Sequence, residues 1–183
     1  MKKNLVLFIL FILFSHIVDA QKYFTKNGNI SFFSKTSIEN IKADNNQVMS
    51  VLNVPAAELQ FSLLIKSFHF PKALMEEHFN ENYLESDKYP KATFKGNITD
   101  ISQVNFAKDG NYPVSVSGDL TIHGVTQKVT TTGNLIIKSG AVSGTSNFIV
   151  ALADYKVSIP KLVETNISKT IEITVNCLYN QKM

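Results

Sequence analysis

The chain has 183 residues, a formal net charge of +3, four histidines and a single cysteine. Its basic residues are scattered among acidic ones, which argues against a nucleic-acid partner because no basic patch is available. One cysteine cannot form an internal disulfide, so a small disulfide-stapled scaffold is excluded and a hydrophobic core must stabilise the fold.

The first twenty residues have the three parts of a secretory signal. Lys2 and Lys3 form a basic start, residues 5–14 are apolar, and the segment ends on the small residue Ala20. The apolar run is too short to span a bilayer, which argues against a retained membrane anchor. We predict a secretory signal over residues 1–20, one β-barrel domain over residues 21–183, and export to the periplasm or the cell exterior with no stable membrane span.

The next segments alternate as β-strands do. Asn27-Gly28 lies between two such runs and is a strong hairpin signal, so we expect strand, turn and strand from Tyr23 to Thr36. Within Ile38 to Val54, residues 43–46 (ADNN) have the composition of a turn and predict the next reversal. Residues 59–66 alternate again, with one buried face.

One stretch departs from this pattern and predicts a short helical insert near residues 71–85. Pro71 suits the first turn of a helix, and Leu74, Met75, His78 and Phe79 follow at helical spacing. Pro90 ends the insert, because it pushes the preceding residue into an extended conformation.

From residue 91 onward the chain reads as a meander of long strands. Apolar residues alternate from Tyr112 to Ile122, and His123-Gly124 and Ser139-Gly140 predict the following turns. Cys177 lies on the apolar face of the last strand and is predicted to be a buried thiol. With about eight strands joined by hairpins, the fold class is mostly β, a closed antiparallel barrel. Such a barrel either holds one small ligand or is filled by its own side chains, and periodicity leaves both open.

Three segments resemble the YceI-like family. Residues 88–94 (KYPKATF) resemble its Tyr-Pro signature, residues 118–126 (GDLTIHGVT) its L-T-I-H-G-V-T hairpin, and residues 148–155 a late segment that ends in an Asp-Phe pair. The resemblance implies an exported, eight-stranded, lipocalin-like barrel that binds a long isoprenoid or similar lipid and has no established catalytic residues. The chain departs from the family at residues 74–79, where only His78 matches the family pattern, and at Lys156, which replaces a glycine.

A lipid-binding barrel needs an apolar inner face that its own side chains do not fill. Gly118 and Gly133 on the inner register are consistent with such room. The insert is expected to cover one barrel end, with Met75, His78 and Phe79 as lid or mouth. The predicted barrel lining consists of Phe61, Leu63, Phe94, Val116, Leu120, Leu135, Phe148, Val150, Ile171 and Ile173.

The preferred function is therefore a non-catalytic protein that holds an isoprenoid, quinone or fatty-acyl ligand, with no cofactor and no metal. Serine-hydrolase and phosphate-binding motifs are missing from the sequence. One alternative is a metal-binding protein or metal-assisted enzyme that uses His69, His78 and nearby glutamates, although their spacing matches no short metal-ligand motif. Another is a structural domain with a packed core. The oligomeric state stays open, a homodimer included.

Overall fold

The computed structural model describes residues 21–182, and the predicted signal over residues 1–20 lies outside the described residues. This part of the chain forms nine strands. One α-helix, α1 (Ala73–His78), continues into a π-helical turn at Phe79–Tyr83. The strands are β1 Lys22–Lys35, β2 Asn40–Asn53, β3 Glu58–Leu64, β4 Lys91–Ile98, β5 Gly110–Ile122, β6 Val125–Lys138, β7 Ala141–Ala151, β8 Thr170–Tyr179 and β9 Gln181–Lys182.

Each strand from β1 to β7 pairs antiparallel with the following strand, and β8 pairs with β1, which closes the sheet. The closing contact joins residues 29–33 to residues 172–176. The short β9 pairs with the start of β1. The predicted mostly β fold, a closed eight-stranded antiparallel barrel with one short helix, is confirmed. No helix between residues 21 and 182 has both the length and the apolar character needed to cross a membrane.

The predicted hairpin at Asn27-Gly28 is wrong, because β1 runs through this dipeptide as one strand. Its pairing with β2 shifts on both sides of Gly28, which marks irregular, bulged pairing. A Cβ atom on Gly28 would lie 2.5 Å from the Sγ atom of Cys177. The glycine therefore allows close approach between strands, a second role of strand glycines beside turns.

The predicted turn at residues 43–46 is also wrong, since β2 continues through it. The chain reverses earlier, where the Thr36 hydroxyl oxygen accepts hydrogen bonds from the N–H groups of Ile38 and Glu39. Asn45 is fully buried in the strand, and its side-chain amide donates to the Leu64 carbonyl at 3.0 Å. Its polarity thus serves a buried contact between two strands.

Two predicted turns are correct. His123-Gly124 joins β5 to β6 and Ser139-Gly140 joins β6 to β7, with φ values of +52°, +72°, +50° and +80° in that order. Two successive residues with positive φ give the hairpin turn that matches the twist of the flanking strands.

The described residues form three buried hydrophobic clusters, of which the two smaller ones lie around Leu84 and around Tyr155. The largest cluster fills one end of the barrel. Its buried residues come from the start of β1, β3, β5 and β7, the end of β2, β4, β6 and β8, and the β4–β5 connection, including Tyr23, Leu52, Ile98, Cys177 and Tyr179. Cys177 is buried as predicted, and burial raises its pKa to about 12, so the thiol stays protonated. We call this the packed end.

The Tyr179 hydroxyl closes a polar contact inside the packed end. It lies 2.9 Å from Ser50 Oγ, which itself lies 3.0 Å from the Gln60 carbonyl oxygen. Because the serine proton goes to that carbonyl, the tyrosine donates to the serine. Burial raises the pKa of Tyr179, which keeps this donor protonated.

We expect Tyr179→Phe to lower the free energy of unfolding by about 1 kcal/mol, since one buried hydrogen bond is lost. Urea denaturation measures this change. Tyr112→Phe is the control, because the Tyr112 hydroxyl donates to the Lys108 carbonyl at an exposed position. Equal losses in the two variants would contradict the assignment.

Candidate ligand-binding cavity

The other half of the barrel is hollow. A cavity of about 380 Å³ lies above the packed end, whose residues Ile98, Leu135 and Tyr179 form its floor. All ten residues of the predicted barrel lining lie on this cavity. Their role in binding a ligand remains a prediction, but the alternative of a barrel filled by its own side chains is wrong.

Of the two glycines expected on the inner register, Gly133 lines the cavity and Gly118 does not. A Cβ atom on Gly118 would lie 2.8 Å from Phe94 Cζ and 2.4 Å from Gly96 Cα. Gly118 therefore allows the close approach of β4 and of the Phe94 ring, which itself lines the cavity.

Four connections lie at the hollow end, which we call the cap end: residues 36–39, 65–90 and 152–169 and the His123-Gly124 turn. The connection over residues 99–109, between β4 and β5, lies at the packed end. In an antiparallel barrel every second connection lies at the same end. The connections β1–β2, β3–β4, β5–β6 and β7–β8 therefore share one end of the barrel. The cavity reaches three of them through Glu39, Met75 and Val163.

The three predicted lid residues lie on the cavity but in different surroundings. Phe79 is part of a four-ring cluster with Phe32, Phe68 and Phe70, with ring centroids 5.0–5.6 Å from its own. Met75 is half-buried, and His78 is exposed at the rim. Phe79 thus attaches the insert to the barrel, whereas Met75 and His78 edge the opening.

The wall is incomplete between β6 and β7. The two strands pair only from Gly133 with Ser146 down to the Ser139-Gly140 turn. Above that point the Gln127 side chain donates to the Asp154 carbonyl at 2.8 Å and bridges the gap. Val129 and Phe148 line the cavity beside this gap and are both half-buried.

The geometry does not support the metal alternative. His69 Nδ1 lies 3.6 Å from Glu76 Oε2, but that carboxylate also accepts from the Phe70 N–H at 3.1 Å. Across residues 21–182, no group of three or more His, Cys, Asp or Glu side chains is placed to hold a metal ion.

The architecture of this site can be compared with known proteins. The YceI-like domain family matches residues 17–178. The chain belongs to the YceI-like family. A search of curated proteins found no match.

Solved structures share the fold of this YceI-like protein. A polyisoprenoid binding domain from Saccharophagus degradans is 17% identical and superposes with a TM-score of 0.75, covering 87% of this chain and 98% of its own. Burkholderia cenocepacia BcnA is 16% identical with a TM-score of 0.65, covering 81% and 94%. The Campylobacter jejuni YCEI protein is 18% identical with a TM-score of 0.62, covering 81% and 90%.

Lys156, which replaces a glycine of the family motif, has a left-handed backbone. Its φ is +56°, a region that glycine enters without steric cost. A lysine side chain is strained in this conformation. The turn ends the 3-10 helix Leu152–Tyr155, which follows β7.

His123 joins three segments of the cap end. Its Nε2 lies 2.8 Å from Glu85 Oε2, its Nδ1 lies 3.1 Å from the Tyr155 carbonyl oxygen, and the Tyr89 ring packs edge-on at 4.6 Å. Both ring nitrogens of His123 therefore lie within hydrogen-bond distance of an oxygen atom from another segment. The side chain is only 11% exposed.

Glu39 joins the cap end at a second point. Its carboxylate pairs with Lys72 of the insert at 3.1 Å and accepts from Asn166 of the last connection at 3.4 Å. These two hydrogen bonds, that from Lys72 first, lower the pKa of Glu39. Sequence reasoning missed both Glu39 and Glu85, because their partners lie 33 or more residues away in the chain.

His123→Asn should lower the free energy of unfolding by about 1–2 kcal/mol, since the two hydrogen-bonding contacts of a largely buried ring are lost. Asparagine adopts the left-handed backbone readily, so the turn itself is preserved. Chemical denaturation measures the loss, and amide hydrogen exchange should quicken at residues 84–90.

The matched control is His69→Asn. The His69 side chain also lies beside a glutamate, Glu76, but it is 67% exposed. Exposed pairs contribute less than about 1 kcal/mol, so a change below 0.5 kcal/mol is expected there. A His123 variant as stable as this control would contradict the role of His123.

Proposed function

We propose that this YceI-like protein is a non-catalytic carrier that encloses a long apolar chain in the hollow half of its barrel. The observation that carries the proposal is the apolar lining of the cavity above a closed, packed floor. Isoprenoid, quinone and fatty-acyl chains are the chemical classes that fit such a lining. The first 20 residues would direct export, to the periplasm or beyond the cell.

The binding free energy would come from apolar area. Each buried methylene contributes about 0.8 kcal/mol, so roughly ten of them contribute about 8 kcal/mol before the cost of association. No polar contact is required for tight binding. The polyisoprenoid binding domain from Saccharophagus degradans has the same fold, which supports this class of ligand.

Two tyrosines give the cavity limited polarity. Tyr83 and Tyr155 line it near the cap end, and burial raises the pKa of both hydroxyls. They stay neutral at physiological pH and can donate a hydrogen bond to a ligand oxygen. This suits a ligand with a small polar group at one end of an apolar chain.

Native mass spectrometry of protein purified without detergent tests the proposal. We expect an adduct with the mass of an apolar chain, released by organic solvent and replaced by a polyprenyl or acyl probe. A clean apo mass with no binding of any such probe would overturn it.

Two substitutions on β6 separate the cavity from the surface. Val129→Trp places an indole on the lining and should weaken probe binding at least tenfold, because it occupies ligand volume. Thr130→Trp is the control, since neighbouring residues of a strand face opposite sides and Thr130 is exposed. Thermal unfolding verifies that both variants fold. Equal probe affinity in the two would place the ligand outside the cavity.

The lid residues should respond differently to truncation. Met75→Ala is expected to speed uptake and release of a fluorescent acyl probe by several-fold with little change in melting temperature, because Met75 edges the opening. Phe79→Ala removes one ring of the aromatic cluster and should cost on the order of 3 kcal/mol of stability.

Stopped-flow fluorescence and thermal denaturation give the two readouts. Similar losses of stability for the two variants, with unchanged uptake rates, would mean that both residues only pack.

A further inference from the structure

The connections at the cap end carry three exposed branched aliphatic side chains. Ile38 is 62% exposed in the β1–β2 turn, Leu74 is 61% exposed at the start of α1, and Leu162 is 94% exposed in the connection before β8. Exposed aliphatic residues scattered singly need no explanation, but a group around one opening does. We call these three side chains the aliphatic tips.

Glu39 holds the three loops of the aliphatic tips together. It follows Ile38, it pairs with Lys72 two residues before Leu74, and it binds Asn166 four residues after Leu162. The same loops contribute Glu39, Met75 and Asn166 to the cavity. The aliphatic tips therefore stand around the rim of the proposed lipid site.

Lysines lie beside each aliphatic tip. Lys35 precedes Ile38 by three residues, Lys72 precedes Leu74 by two, and Lys161 adjoins Leu162. All three lysines are exposed. The Lys72 amino group is bound to Glu39, whereas the long stems of Lys35 and Lys161 can extend an amino group to the headgroup level while neighbouring aliphatic atoms go deeper.

The carboxylates of these loops are largely engaged. Glu39 pairs with Lys72, Glu164 pairs with Lys169 at 3.2 Å, and Glu76 accepts from the Phe70 N–H. Glu77, Glu81 and Asp154 are exposed and add negative charges, which exposed lysines of the same loops offset. Net charge is thus close to balanced, and insertion of the aliphatic tips must supply most of the affinity.

The chemistry of the aliphatic tips favours a bilayer over a protein partner. Protein interfaces are centred on packed aromatic, Met and Arg side chains. Here single Ile and Leu side chains project from separate loops and lie beside lysines, which is the composition of segments that enter the headgroup region. A bilayer is also the place where a long apolar ligand resides.

We propose that the aliphatic tips dock the rim of the cavity onto a phospholipid bilayer, so that a lipid chain passes between bilayer and barrel without crossing water. This rests on the proposed carrier function, because a rim that touches the bilayer matters only if the cavity takes a chain. Docking is peripheral and reversible, since three side chains are few.

The test is flotation of the exported protein with vesicles of phosphatidylcholine and phosphatidylglycerol. The triple variant Ile38→Ser, Leu74→Ser, Leu162→Ser should lose at least tenfold in vesicle partition. Its control is Met49→Ser, Ile149→Ser, Leu178→Ser, which removes three other exposed apolar side chains. The control should change partition less than twofold, and both variants should keep the parent melting temperature.

The chain contains no tryptophan, so one introduced indole reports its own surroundings. Leu162→Trp should shift its emission to shorter wavelength when vesicles are added. Leu178→Trp, 59% exposed in the parent on β8 near the packed end, should not shift.

Equal partition of the two triple variants, or an unshifted indole at position 162, would overturn the docking proposal. Binding of a soluble acyl probe without vesicles is measured in parallel and tests the carrier function alone. A protein that binds this probe but no vesicles retains the carrier function and loses the docking proposal. A protein that binds vesicles but no soluble acyl probe loses the carrier function and retains only the docking of the aliphatic tips.

Discussion

Pairing between β1 and β8 closes the sheet, and the rest of the structure depends on that closure. The contact brings residues 29–33 against residues 172–176, from opposite ends of the described chain. Closure leaves a free edge only where β6 and β7 separate above Gly133 and Ser146, and it commits every strand to one inner and one outer face. The inner face is then either filled or hollow. Here Tyr23, Leu52 and Tyr179 fill one end, and the other end is left as the cavity.

The cap end combines small apolar clusters with polar contacts between its segments, whereas the packed end is mainly apolar. His123 joins the insert to the last connection on one side, and Glu39 does the same on the other. Between them the insert has a helix of only six residues, which buries none of them fully. Its attachment comes from the ring of Phe79, from the buried Leu84 side chain and from these polar bonds. The helix of the insert therefore buries less of its surface than the barrel strands do. Segments that open to admit a ligand are generally found among such regions of low local stability.

Two errors of sequence interpretation have one cause. Asn27-Gly28 and residues 43–46 have the composition of turns, yet both lie inside long strands. Gly28 is needed for close approach to Cys177, and Asn45 is needed to bind the Leu64 carbonyl. Those partners are distant in the chain, so local composition cannot distinguish such roles from a turn. Where the turn is purely local, as at His123-Gly124, the sequence prediction is correct.

The sequence alone determined the alternation of inner and outer residues, the number of barrel strands, the place of the insert and the family resemblance. Alternation has a period of two residues, so the ten lining residues could be chosen without coordinates. Only the tertiary structure decided that those residues leave a cavity, since volume depends on how far side chains reach across the barrel. It alone also decided the contacts of His123 and Glu39 and the grouping of Ile38, Leu74 and Leu162. Each joins segments that only barrel closure brings together.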